Sequence, residues 1–129
     1  MATILLDSCV IFDFLNGKRR RREFLEKLLD RGHVLACCAV NVTEVYTGMR
    51  ESEEIRTEQF LSSLEFFPIG QEVAKLAGVL RREWKGLGHD LSYTDVNIAA
   101  IAIYHDVALL TGNSKHFPMP QIELYPLPA

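Results

Sequence analysis

Residues 3–17, TILLDSCVIFDFLNG, set the pattern from which the fold is read. Thr3 to Leu6 is a short apolar run that stops at Asp7. Ser8 is placed to cap a helix carrying Val10, Ile11, Phe14 and Leu15 at helical spacing, and Gly17 ends it. This is a strand-turn-helix unit, and the chain goes on alternating in the same way. A charged helix with Phe24, Leu25, Leu28 and Leu29 on one face ends near Gly32 and gives way to a buried strand, Val34 to Cys38. A helix from about Asn41 carries Val42, Val45, Tyr46 and Met49, and a polar helix spans Glu51 to Glu65. Phe66 to Ile69 reads as a short strand. Val73, Leu76, Ala77, Leu80 and Trp84 form one stripe of the next helix, closed by the Gly86–Gly88 turn. Ser92 or Thr94 can cap a helix from Asp95 to Tyr104 that is apolar almost all round and therefore central. Ala108 to Leu110 is the following strand, Thr111 to Phe117 a loop, and Ile122 to Tyr125 an edge strand before a Pro-rich end. Alternating strands and helices imply an α/β, three-layer domain, a parallel sheet covered by helices on both faces.

At 129 residues the sequence spans one ordinary domain, 1–129, with the apolar and charged fractions of a globular protein. The longest apolar stretch, VNIAAIAIYHDVALL, is broken by Asn97, His105 and Asp106, and no leader pattern is present, so no membrane association and a cytoplasmic address are expected. Cys9, Cys37 and Cys38 lie in apolar surroundings and suit reduced core thiols rather than a disulfide or zinc framework. A net charge of −3 disfavours broad binding to a polyanion, so any nucleic-acid contact has to be local. The candidates are the run Lys18–Arg22 and a second cluster of Arg81, Arg82 and Lys85, although solvated helix faces would read the same.

Four positions stand out: Asp7 in LLDSCVIFDFL, Glu44 in NVTEVYTG, Asp95 in LSYTDVNIAAIA and Asn113 in LLTGNSKHF. Each lies at the end of an apolar strand or in the first turns of an apolar helix. In open α/β sheets, sites form outside the carboxyl ends of the strands, so all four can converge on one rim. Oxygen ligands of this kind suit hard cations, Mg²⁺ or Mn²⁺, which keep waters and substrate phosphate in their shell. Each position also has a plain structural explanation: Asp7 a helix cap, Glu44 and Asp95 acids favoured by a helix dipole, Asn113 a turn residue.

In order, spacing and neighbours the four words resemble the PIN-domain nucleases, and within them the short VapC-type toxins of toxin–antitoxin pairs. The resemblance covers nearly the whole chain. It implies a PIN-like fold and a divalent-metal-dependent endoribonuclease, with Asp7, Glu44 and Asp95 as acidic metal ligands and Asn113 where relatives carry Asp or Asn. Ser8, Thr43 and Thr111 fall beside these positions as supporting residues, with capping and turn bonding an equal account of them. His116 matches a frequent family residue, read as structural or phosphate-contacting, and Asp13 is ranked a surface acid. RNA is the implied substrate, cut to leave 5′-phosphate and 3′-hydroxyl ends. A homodimer and a small cognate antitoxin are the implied partners, the antitoxin lying along Val42–Leu64 with Tyr46, Met49, Phe60 and Leu61 as anchors. Nucleotide binding fails for want of a Gly-rich phosphate loop, and a Ser or Cys hydrolase for want of a nucleophile elbow. A non-catalytic PIN-fold binding module and an RNA-processing PIN enzyme outside any toxin pair stay open.

Overall fold

The computed structural model describes residues 1–128. Four strands, β1 (Thr3–Leu6), β2 (Val34–Cys38), β3 (Glu65–Phe67) and β4 (Ala108–Leu110), pair in the order β3-β2-β1-β4, and every pairing is parallel. Six helices cover them: α1 (Ser8–Leu15), α2 (Arg21–Asp30), α3 (Ala39–Gly48), α4 (Glu54–Ser62), α5 (Gln71–Gly86) and α6 (Tyr93–His105).

The strands read as unbroken apolar runs because both faces of the sheet are buried. Side chains alternate across a strand, so Ile4, Leu6, Leu35, Cys37, Ala108 and Leu110 pack with α1–α4. Leu5, Ala36, Cys38 and Leu109 face the opposite layer, α5 and α6. Ala99, Ala100 and Ala102 are at most 2 % exposed, and their small side chains let α6 lie close to the sheet. Its Asp106 cap is left-handed at φ 52°, a conformation Asp tolerates better than most residues.

Several boundaries differ from those read along the sequence. Asp7, not Ser8, caps α1, and Gly17 takes the left-handed position (φ 66°) one residue past the Asn16 cap. Helix α3 begins at Ala39, two residues early, because Asn41 acts from inside the first turn by accepting the Cys38 N–H. The expected Glu51–Glu65 helix is a 3₁₀ turn at Glu51–Glu53 followed by α4, and β3 starts at Glu65. Helix α6 starts at Tyr93 because Ser92 supplies the cap. The segment Ile122–Tyr125 is no edge strand: only Leu109 and Leu124 form a bridge, since the chain touches β4 at one point and then leaves toward its prolines.

Leu109 is fully buried between β1 and α6, so Leu109→Ala leaves a cavity and should lower stability by about 2–5 kcal/mol in urea denaturation without changing the slope of the transition.

Candidate functional site

Asp7 leaves β1 at its C-terminal end. Its backbone N–H donates to the Leu110 carbonyl (2.9 Å), extending the β1–β4 pairing by one residue. Its Oδ1 accepts the Ser8 N–H at 2.8 Å and its Oδ2 accepts the Thr111 hydroxyl at 2.6 Å. Capping and site membership are therefore not alternatives for this residue: one oxygen caps α1, and the other is held by the loop after β4. The residue is only 6 % exposed.

Displaced from the cap, Ser8 points its hydroxyl at Glu44 Oε1 (2.5 Å) and accepts from Asn41 Nδ2 (2.9 Å). Asn41 is fully buried, and its carbonyl oxygen holds the Cys38 N–H at 2.8 Å. It joins the end of β2 to α1 and so fixes where Glu44 projects. Sequence reading passed over it because an Asn in a first turn looks like any local cap. With α3 starting at Ala39, Glu44 is in the second turn, beyond the first turn in which the helix dipole favours an acid. Thr43 instead turns its hydroxyl back to Ala39 O (3.2 Å), a bond within its own helix that orients no carboxylate.

Asp95 is the third residue of α6, and its N–H donates to Ser92 Oγ at 3.1 Å. Its carboxylate meets His116 Nδ1 at 3.2 Å. Burial holds the Asp95 carboxyl above the ordinary range and the nearby Asp7 charge pushes the same way, while Ser92 and His116 oppose the shift. Asn113 is exposed, and its backbone N–H donates to Thr111 Oγ1 at 2.9 Å, so one hydroxyl ties Asn113 to Asp7. The structure thus links Asp7, Glu44 and Asn113 through Ser8 and Thr111, with Asp95 close enough for its charge to interact with that of Asp7.

Among the described residues, no three His, Cys, Asp or Glu side chains close into a cluster that could hold an ion by themselves. Glu44 is held by Ser8 and Asp95 by His116. The donor chemistry fits a hard divalent cation, which accepts a few carboxylates and completes its shell with water. Thiols do not compete for it. Burial raises Cys9 and Cys38, and pushes Cys37 up to about 11, keeping all three protonated near neutral pH. Two clefts flank the rim, one beside Glu44 and Tyr93, the other of about 540 Å³ between Asn113 and the Arg19–Arg21 turn. Asp13 lines the second and holds Arg19 at 3.2 Å, so it is a half-buried anchor and not a free surface acid.

The family model of the PIN domain matches residues 4–119. Ribonuclease VapC19 of Mycobacterium tuberculosis is 32% identical over 115 residues, covering 89% of this chain and 92% of that protein. Ribonuclease VapC10 of the same organism is 33% identical over 116 residues, 90% of this chain and 86% of the relative. Among solved structures, a toxin-antitoxin complex from Klebsiella pneumoniae contains a chain 28% identical with TM-score 0.75, covering 92% of this chain and 94% of that one. VapBC2 from Rickettsia felis, bound to a DNA fragment from the promoter, reaches TM-score 0.82 at 24% identity over 95% of this chain and 97% of that chain, a likeness of fold.

A carboxyl raised by folding binds protons that the unfolded chain has already released, so its contribution to stability falls as pH rises from the ordinary carboxylate range through the folded value. In metal-free buffer Asp95→Asn should therefore raise the urea midpoint at pH 8 and gain little at pH 4. Parallel denaturation curves at the two pH values check both the direction and the window.

Proposed function

The chain belongs to the PIN-domain family, and we propose on that premise that it is a divalent-metal-dependent endoribonuclease serving as the toxin of a toxin–antitoxin pair. Two relatives of matching length are named ribonucleases, and the Klebsiella pneumoniae relative is part of a toxin-antitoxin complex. The observation that supports the activity is that Ser8 joins Asp7 to Glu44 while the Asp7 charge acts on Asp95, so that acids from three different parts of the chain lie near one another.

Asp7, Glu44 and Asp95 would hold the ion, Mg²⁺ or Mn²⁺, with Asn113 offering a carbonyl oxygen at the edge of the site. When bound, such an ion activates water and neutralises charge on the phosphodiester. The chain's own residues supply the geometry. Thr111 donates to Asp7 Oδ2 and the Ser8 hydroxyl to Glu44 Oε1, while Asp7 Oδ1 takes the Ser8 N–H; these bonds pin both carboxylates, and each keeps lone pairs for an ion. His116 holds Asp95 Oδ2 from the solvent side and brings an imidazole to the mouth of the site, where it can contact a phosphate oxygen.

The test is incubation of purified, antitoxin-free protein with total cellular RNA, with and without Mg²⁺ or Mn²⁺, mapping the ends produced. Asp7→Asn and Asp95→Asn should each abolish cleavage while the protein stays folded. Asn113→Ala should cost much less, and Asn113→Asp should lower the Mn²⁺ concentration for half-maximal cleavage, because a carboxylate adds attraction that an amide lacks. Metal-dependent cleavage surviving in both Asp variants would sink the site.

The proposed partners are a second copy of the chain and a small antitoxin. Of the anchors expected for the antitoxin, Leu61 is buried, and Phe60 stacks on Phe14 with centroids 4.1 Å apart. Tyr46 is engaged with Glu58. The accessible apolar surface lies beside them, a groove of about 360 Å³ lined by Phe14, Leu25, Leu29, Val34, Phe60 and Leu64. Leu29 (53 % exposed) and Val34 (43 %) are its open edge, which suits the apolar face of an antitoxin segment. Leu29→Asp should weaken binding of the cognate antitoxin at least tenfold by calorimetry while leaving RNA cleavage intact, and light scattering should report a dimer.

A further inference from the structure

We propose that the cleft between the Arg19–Arg21 turn and the Thr111–Ser114 loop binds a backbone phosphate of single-stranded RNA, adjacent along the strand to the phosphate being cut. The nature of the ligand rests on the ribonuclease reading above; the site itself rests on the following geometry.

The cleft holds about 540 Å³. Thr111 and Asn113 form one wall, so it opens onto the rim that carries Asp7. Arg19, Arg21 and Asp13 also line it, and the segment 124–128 completes the cleft. Arg21 is 5 % exposed, and its Nη1 is used by the carbonyls of Arg19 (3.3 Å) and Pro128 (3.1 Å). Among the described residues its Nε is buried with no hydrogen-bond partner; it forms an ion pair with Asp13 Oδ2 at 3.9 Å, too long for a hydrogen bond. A buried guanidinium N–H without an acceptor is unfavourable, and an anionic oxygen entering the cleft would satisfy it.

Charge points the same way. Among the described residues lining the cleft, two guanidinium groups face one carboxylate, a local positive excess in a chain of net charge −3. Arg20, Arg21 and Arg22 also sit at the start of α2, the end of a helix where cations are disfavoured, with Glu23 the acid of that turn. Arg20 pairs with Glu23 (3.2 Å) and Arg22 lies over the Phe14 ring (5.0 Å), which leaves Arg19 and Arg21 at the cleft, where the planar Arg fork matches phosphate oxygens. Of the second basic cluster, Arg81 is committed elsewhere: it donates to Leu91 O (2.9 Å) and covers the Tyr93 ring at 4.6 Å, bracing the α5–α6 connection.

The test is fluorescence anisotropy of a labelled single-stranded oligoribonucleotide with the full, antitoxin-free chain in EDTA, so that binding is read without cleavage. Arg19→Gln should weaken binding about three- to tenfold and reduce the slope of log K against log salt by about 0.7. Arg21→Lys keeps the charge but loses the Nε–H, so affinity should fall with the slope unchanged; if it unfolds, Arg19→Gln decides alone. Arg82→Gln, exposed on α5, should change neither quantity. The proposal is overturned if the wild type does not bind RNA, if Arg19→Gln binds like wild type, or if Arg82→Gln loses as much. It is also overturned if Arg19→Gln abolishes only the binding of inorganic phosphate or of an acidic antitoxin peptide. Arg19-dependent RNA binding by a chain that never cuts RNA would keep the cleft and reject the nuclease.

Discussion

The parallel pairing of β1 with β4 is the contact on which everything at the rim depends. It runs from Ile4 and Ala108 to Leu6 and Leu110 and is extended by the Asp7 N–H onto the Leu110 carbonyl. That last bond delivers Thr111 to Asp7, and Thr111 in turn orders Asn113. The strand order β3-β2-β1-β4 makes the chain leave β1 on one side of the sheet and return to β4 from the other, so a crevice opens at the C-terminal ends of these two strands. Asp7 is the residue at that opening.

The electrostatics of the rim are incomplete in a way that favours a cation. Among the described residues, neither Asp7 nor Glu44 has a Lys or Arg within salt-bridge distance; neutral hydroxyls and backbone N–H groups hold them instead. A lysine in this place would compete with the proposed ion. His116 alone brings a basic group to the acids, and it engages only Asp95. Burial, with the Asp7 charge behind it, raises the Asp95 carboxyl, so this acid costs stability once it is ionised.

Helix α2 divides its work along its length. Its first turn presents Arg21 to the cleft beside the rim, while Leu25 and Leu29 line the apolar groove shared with α4. A partner seated in the groove and an RNA strand held in the cleft would therefore contact one rigid element. The carbonyl of Pro128, held by Arg21, fastens the end of the chain to the same turn.

The central strands were legible in the sequence, β1, β2 and β4 to the residue, because a strand buried on both faces has to be an apolar run and helices must then alternate with it. The candidate ligands stood out for a related reason: an acid at the end of an apolar element has little local cause. Where several side chains could perform the same local task, the sequence by itself left the choice open. Asp7 and Ser8 are both competent caps, and Asp7 took the position because Ser8 is claimed by Glu44 and Asn41, partners far away in the chain. The bond from Asn41 to Ser8 and that from Arg21 to the Pro128 carbonyl likewise join distant segments. Periodicity and turn chemistry act over a few residues and so determined the layers of this protein, whereas hydrogen bonds between segments brought together by packing decided which polar groups share the rim.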